Sequence, residues 1–221
     1  SEMCIRDRID VTICNINTVV QEVSCMESKE RIAKIIRALS VPPVMVSVLI
    51  IILAINKEGI FRNTLEIVVS IVLLGFVPIL AYILNGIVPG FRKQGREGQR
   101  KLAFVTNLIG YSVAFLWALL SDVESALLLI CSTYFFSVLI LTICNKAFHY
   151  RASGHACSFT GPLVLMIYFF GWKVFIPCLL VAALISWSSI YLKRHTAKEL
   201  IGGIVVCLFS FALSLFLITF V

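Results

Sequence analysis

A chain of 221 residues that is 60% hydrophobic and only 14% charged, with a mean hydropathy of +1.00, is not a soluble globular domain, in which charged residues run near a quarter. Apolar runs of roughly 20 residues recur without strand-like alternation, which excludes a closed β-barrel and predicts an all-α, polytopic membrane bundle of six to seven transmembrane helices. The formal charge of +7 sits in short connections, where Lys and Arg set topology and meet lipid phosphates, so nucleic acid is not an expected partner.

In chain order, residues 1–25 read as a non-native or disordered extension, because SEMCIRDR resembles translated sequencing adapter; the protein is expected to start at Met26. Residues 26–40 form a basic interfacial helix, with Ile32, Ile35, Ile36 and Leu39 at helical spacing. Residues 41–221 form one transmembrane domain, with apolar segments at 41–55, 64–88, 102–120, 125–144, 156–171, 174–192 and 200–220. Pro42-Pro43 predicts a kinked entry into the first segment. With seven crossings, 26–40, 89–101, 145–155 and 193–199 share one side and hold 14 Lys or Arg, against 3 in 56–63, 121–124 and 172–173. That asymmetry predicts a cytoplasmic location for the basic loops in a prokaryotic cell membrane. The eight cysteines show no CxxC spacing and mostly lie in apolar runs, as small buried hydrophobes do.

Two polar stretches carry chemistry. In RASGHA (151–156) a small-residue turn runs into an apolar helix. Ser153 and Gly154 can present backbone N–H groups at that helix start, a ready anion site, with Arg151 and Lys146 adding positive charge. His155 adds a group that exchanges protons near neutral pH. In KRHTAKE (193–199), His195 and Glu199 lie four residues apart at another helix start, so the carboxylate can orient the imidazole, and Arg194 adjoins it. Both stretches fall on one side of the membrane and can converge. A carboxylate-held histidine, a second histidine and an anion cradle between them suit phosphoryl transfer.

These residues resemble two motifs of the type 2 phosphatidic acid phosphatase and haloperoxidase superfamily of membrane lipid phosphatases. Its Pro-Ser-Gly-His motif corresponds to Ala152-Ser153-Gly154-His155. Its Ser-Arg-x5-His-x3-Asp motif corresponds to Ser188-Ser189-x5-His195-x3-Glu199, followed by Gly202-Gly203. The resemblance implies that His195 is the phosphohistidine nucleophile and His155 the general acid. It further implies that Ser153 and Gly154 bind phosphate oxygens, that Glu199 orients the nucleophile, and that no cofactor or metal is needed. The expected substrate is a lipid phosphate or diphosphate in the bilayer. The family's first motif, Lys-x6-Arg-Pro, is absent; Lys146 and Arg151 stand nearest to it. Ser189 replaces the family arginine and withholds its guanidinium, a difference of about 3 kcal/mol in transition-state stabilisation.

Two rival readings keep to the same residues. One is a catalytically degenerate relative that binds or translocates phospholipids, favoured by Ser189. The other is a metal or haem protein using His149, His155 and His195, disfavoured because thiolate and carboxylate ligands at metal spacing are missing. His149 alone reads as an interfacial side chain, and Arg92, Lys93, Arg96, Arg100 and Lys101 read as a solvated loop. Gly161-Pro162 and Gly202-Gly203 read as close-packing positions.

Overall fold

The computed structural model of the protein describes residues 26–87, 95–147 and 150–220; the extension 1–25, His149, Arg92 and Lys93 fall outside them. Among the described residues the fold is all-helical, without a strand. In chain order the helices are α1 (Met26–Leu39), α2 (Pro42–Asn56), α3 (Thr64–Ile87), α4 (Gly95–Leu120), α5 (Ser125–Lys146), α6 (Gly154–Phe170), α7 (Phe175–Tyr191) and α8 (Ala197–Thr219). By length and composition five helical segments can cross a membrane, or six if the bent pair α1–α2 is taken as one span; the continuous run Gly154–Tyr191 counts once. The chain is therefore an integral membrane protein by its helices. Large apolar side chains such as Ile83, Leu116, Leu180 and Phe209 stand exposed on the outside, where lipid replaces water as their surroundings.

Local chemistry explains most boundaries. A residue before proline is pushed out of the helical region, and Val41 is extended (φ −65°, ψ 146°), so α1 and α2 meet at 61°. Asn63 caps α3 by accepting from the Glu66 N–H at 2.9 Å. Within α3 the helix widens to a π segment over Ile71–Phe76, beside close backbone approaches. A side chain at Gly110 would lie 2.8 Å from the Leu73 carbonyl, so only glycine lets α4 press against that segment. Gly171, at φ 73°, turns α6 into α7 through a short 3-10 segment. Ile185 of α7 shares a buried cluster with Ala156 and Phe159 of α6, so the two arms run antiparallel.

The main core joins α2, α3, α4, α5 and α6 through Leu49, Leu74, Ala114, Ile130 and Leu165. Helix α8 packs along α5 and α6. The structure extends α4 back to Gly95, so Arg100 and Lys101, expected in a solvated loop, are helical. Their charges mask the helix at the sequence level, because hydropathy falls well before the helix ends. Of the stripe read on α1, Ile32, Ile35 and Leu39 are exposed, whereas Ile36 packs against the cluster of Ala156, Phe159 and Ile185, and Ala33 is fully buried. The inner face of α1 is held to the bundle, with Ser188 Oγ donating to the Ala33 carbonyl at 2.9 Å.

Candidate functional site

The starts of α6 and α8 lie side by side because two glycines permit it. At Gly203 an added Cβ would collide with the Ser153 carbonyl and approach Ala156 Cβ to 2.8 Å, and at Gly202 it would lie 2.5 Å from Tyr150. The Ser153 N–H donates to the Glu199 carbonyl at 2.9 Å, which ties the two helix starts together. Tyr150 adds a hydrogen bond from its hydroxyl to the Lys198 carbonyl at 3.1 Å. The predicted close packing at Gly202-Gly203 is thus present, and its role is to bring the two histidine stretches into one place.

There the imidazoles of His155 and His195 come together with nearly parallel rings, 10° apart in tilt and 6.3 Å between centroids. That separation is too wide for ring-to-ring stacking. His195 Nδ1 lies 3.3 Å from Glu199 Oε2. The same oxygen accepts from the Thr196 N–H at 3.2 Å, and Thr196 Oγ1 accepts from the Glu199 N–H at 3.3 Å, which closes a capping box at the start of α8. The carboxylate is fixed by the helix start before it touches the imidazole. A carboxylate on Nδ1 selects the tautomer whose Nε2 carries the lone pair. Burial lowers the His195 pKa below its ordinary 6.5, partly offset by the Glu199 hydrogen bond, with Arg37 lowering it further, Glu199's charge raising it and Arg100 lowering it.

His155 is held from the opposite end of the chain. Its Nε2 lies 3.3 Å from Ser40 Oγ, and that hydroxyl donates to the Arg37 carbonyl at 3.2 Å. With the hydroxyl proton so used, Nε2 is the donor to Ser40.

Both histidines line a cavity of about 760 Å³ whose mouth carries Lys34, Arg37, Arg100, Arg151 and Arg194. Arg151 Nε lies 3.5 Å from Glu199 Oε1, an exposed pairing. Arg37 is close enough for its charge to act on both histidines. Gly154 also lines the cavity, at the first turn of α6, where N–H groups have no intrahelical acceptor. Of the eight residues the sequence points to, six are therefore gathered here: His155, His195, Gly154, Arg151 and Arg194 on the cavity wall, and Glu199 behind His195.

Two are placed otherwise. Ser153 is buried, its hydroxyl accepts from the Ala156 N–H at 3.2 Å and its own N–H is taken by Glu199, so it is spent on building the helix start. Lys146 is exposed in the last turn of α5 and does not line the cavity. Comparison with family models, curated proteins and solved structures returned no match. The reading of the site therefore rests on its own geometry.

Several residues that sequence reasoning left aside stand in the site. Arg37 and Ser40 come from the inner face of α1 and its exit, where a spacing of 33, 37 and 40 was available as a helical stripe. Arg100 joins from α4, its Nη2 donating to Asn145 Oδ1 at 3.2 Å. Ser189 is fully buried on α7 and does not line the cavity. Among the described residues no group of three His, Cys, Asp or Glu side chains gathers as metal ligands would.

Proposed function

We propose that the protein is an integral membrane phosphatase of six to seven transmembrane helices that hydrolyses a lipid phosphate or polyprenyl diphosphate through a phosphohistidine intermediate. One observation carries this reading: two histidines from separate helix starts share one cation-rimmed cavity, and one of them is held by a carboxylate.

His195 Nε2 attacks phosphorus, forming a P–N bond as the P–O bond to the alcohol, or in a diphosphate to the inner phosphate, breaks. His155, its Nε2–H on Ser40, takes up a second proton at its other nitrogen as the anionic phosphate enters and gives it to the leaving oxygen. Glu199 stabilises the positive charge that grows on the imidazole. In the second half His155 takes a proton from water, whose oxygen bonds to phosphorus as the P–N bond breaks, releasing inorganic phosphate and restoring His195. Attack needs phosphorus about 3–3.5 Å from Nε2, in the plane of the ring where its lone pair lies, and a hydrogen bond of about 2.6–3.2 Å to the leaving oxygen. The phosphate would therefore sit at the nitrogen-bearing edges of the two rings, whose centroids are 6.3 Å apart. Arg37, Arg100 and Arg194 supply the charge for the equatorial oxygens that Ser189 does not. Loop charge favours a cytoplasmic site, and a lipid tail left in the bilayer would hold the phosphate at the histidines.

A second reading, a degenerate relative that binds or moves phospholipids, is favoured by Ser189. The test is phosphate release from lipid phosphates and diphosphates by protein purified in detergent, beside His195→Ala. Release abolished by the variant supports the phosphatase. Silence of a folded wild type on every substrate overturns it in favour of the binder.

A further inference from the structure

The cavity does not end at the histidines. It continues into the bundle past Gly161 to Tyr111, Tyr134 and Asn107. Gly161 lies six residues beyond His155 on α6, about 9 Å deeper at 1.5 Å per residue. A Cβ built there would be 3.6 Å from the Tyr134 hydroxyl. Tyr111 and Tyr134 come from α4 and α5, pack edge to face at 5.3 Å between centroids, and are each 4% exposed. Their hydroxyls, and the Asn107 side-chain carbonyl, find no hydrogen-bond partner among the described residues.

Three polar atoms deep inside an apolar bundle are unfavourable unless something pairs with them, because each unpaired buried polar group costs about 1–3 kcal/mol. Other buried hydroxyls, such as Thr133 on α5 and Ser210 on α8, are satisfied locally, donating to the Leu129 and Val206 carbonyls at 2.7 Å each. Asn107, Tyr111 and Tyr134 instead belong to the lining of the cavity that holds the histidines. Two phenol hydroxyls can donate or accept, and an amide carbonyl accepts; the group that answers all three is a hydroxyl, which does both. No cation lines this inner end, so it is not built for a second phosphate. An isoprenoid chain offers neither donor nor acceptor and would leave all three atoms unpaired.

We infer that the inner recess is a binding subsite for the alcohol part of the substrate, and that this part is a polyol: the site takes a phosphate ester of a hydroxyl-rich alcohol in preference to an isoprenoid phosphate. The inference rests on the phosphatase reading for where the phosphate lies. The polyol phosphate can be a lipid headgroup or a free molecule, and the recess chemistry is common to both.

The test is equilibrium binding to the full chain in detergent, in wild type, His195→Ala and the double variant Tyr111→Phe/Tyr134→Phe. The probes are a diacyl lipid ending in a glycerol phosphate headgroup, free glycerol 3-phosphate, and farnesyl phosphate. The first is expected to bind at least about tenfold more tightly than farnesyl phosphate in wild type and in His195→Ala. The tyrosine variant is expected to bring that ratio close to one without weakening farnesyl phosphate. Comparing the ratio across variants cancels differences in detergent partitioning. Glycerol 3-phosphate binding with the same dependence on the tyrosines identifies a free substrate; binding of the lipid alone identifies a headgroup. A ratio near one in wild type, or one indifferent to the tyrosine hydroxyls, overturns the inference. The variant removes only hydroxyls that lack partners, so it should melt no lower than wild type. Preference retained without phosphate release would sink the phosphatase reading alone; release without preference would sink this inference alone.

Discussion

Glu199→Gln separates the charge that helps His195 from the hydrogen bond that builds the helix start. Glutamine keeps an oxygen for the Thr196 N–H, so the capping box survives and only the negative charge is lost. For unit charges 3.3 Å apart, Coulomb's law at an effective dielectric of about 20 gives a ceiling of about 5 kcal/mol. The side chains of His195 and Glu199 are 21% and 19% exposed, which screens part of this. About 2–3 kcal/mol remains, a fall of roughly 30- to 150-fold in kcat. The Arg151 pairing is exposed and contributes about 0–1 kcal/mol, so the melting temperature should shift by only a few degrees. The pH profile supplies a second readout. In the proposed mechanism neutral His195 attacks phosphorus, and burial holds its pKa below 6.5, so kcat/KM should fall on the acid side only below that value. Glu199 raises this pKa, so removing its charge should move the acid limb to still lower pH. The assay is phosphate release in mixed micelles from pH 4.5 to 8, with thermal unfolding alongside. A variant that keeps both wild-type kcat and the wild-type acid limb would refute the assigned role of Glu199.

The remaining predictions concern where the positive charge comes from. Arg37→Ala should lower phosphate release about a hundredfold, the effect of one lost charged donor at a transition state, with Arg37→Lys recovering part of it; undiminished turnover in the alanine variant would remove α1 from the site. Ser189→Arg should not raise activity, because position 189 is fully buried and does not line the cavity. It should instead destabilise the fold by about 3 kcal/mol or more, read as an earlier melt in detergent, and faster turnover with an unchanged melt would contradict the placement.

Much of the helical layout is legible in the sequence because apolar runs report it directly. The segments read at 125–144 and 174–192 match Ser125–Lys146 and Phe175–Tyr191 to within two residues. Helix α4 begins earlier than hydropathy suggests because its first turns carry Arg100 and Lys101, which look like loop charges until a cavity appears beside them. The histidine pair is legible because each member sits at a helix start with its partners within four residues. Arg37 and Ser40 are not, because their contact with His155 joins positions more than a hundred residues apart in the chain. The apolar stripe of α1 is the stronger periodic signal and describes mostly its outer face. Tyr111, Tyr134 and Asn107 carry a weak sequence signal, polar side chains inside apolar runs, whose meaning appears only when two helices bring them together.

The glycine contact between α8 and α6 gives the histidine separation the character of a fixed gauge. At Gly203 two backbones already meet, so the helix starts cannot come closer, and the Ser153–Glu199 hydrogen bond keeps them from drifting apart. Side chains elsewhere in a bundle can repack as bilayer thickness or tail composition changes, and the deep recess between α4 and α5 would feel such adjustments. The two helix starts that carry the histidines would shift less, because main-chain atoms on both sides fix their spacing. On the proposed reading, the phosphate end is mechanically insulated from the lipid, while the alcohol end remains compliant.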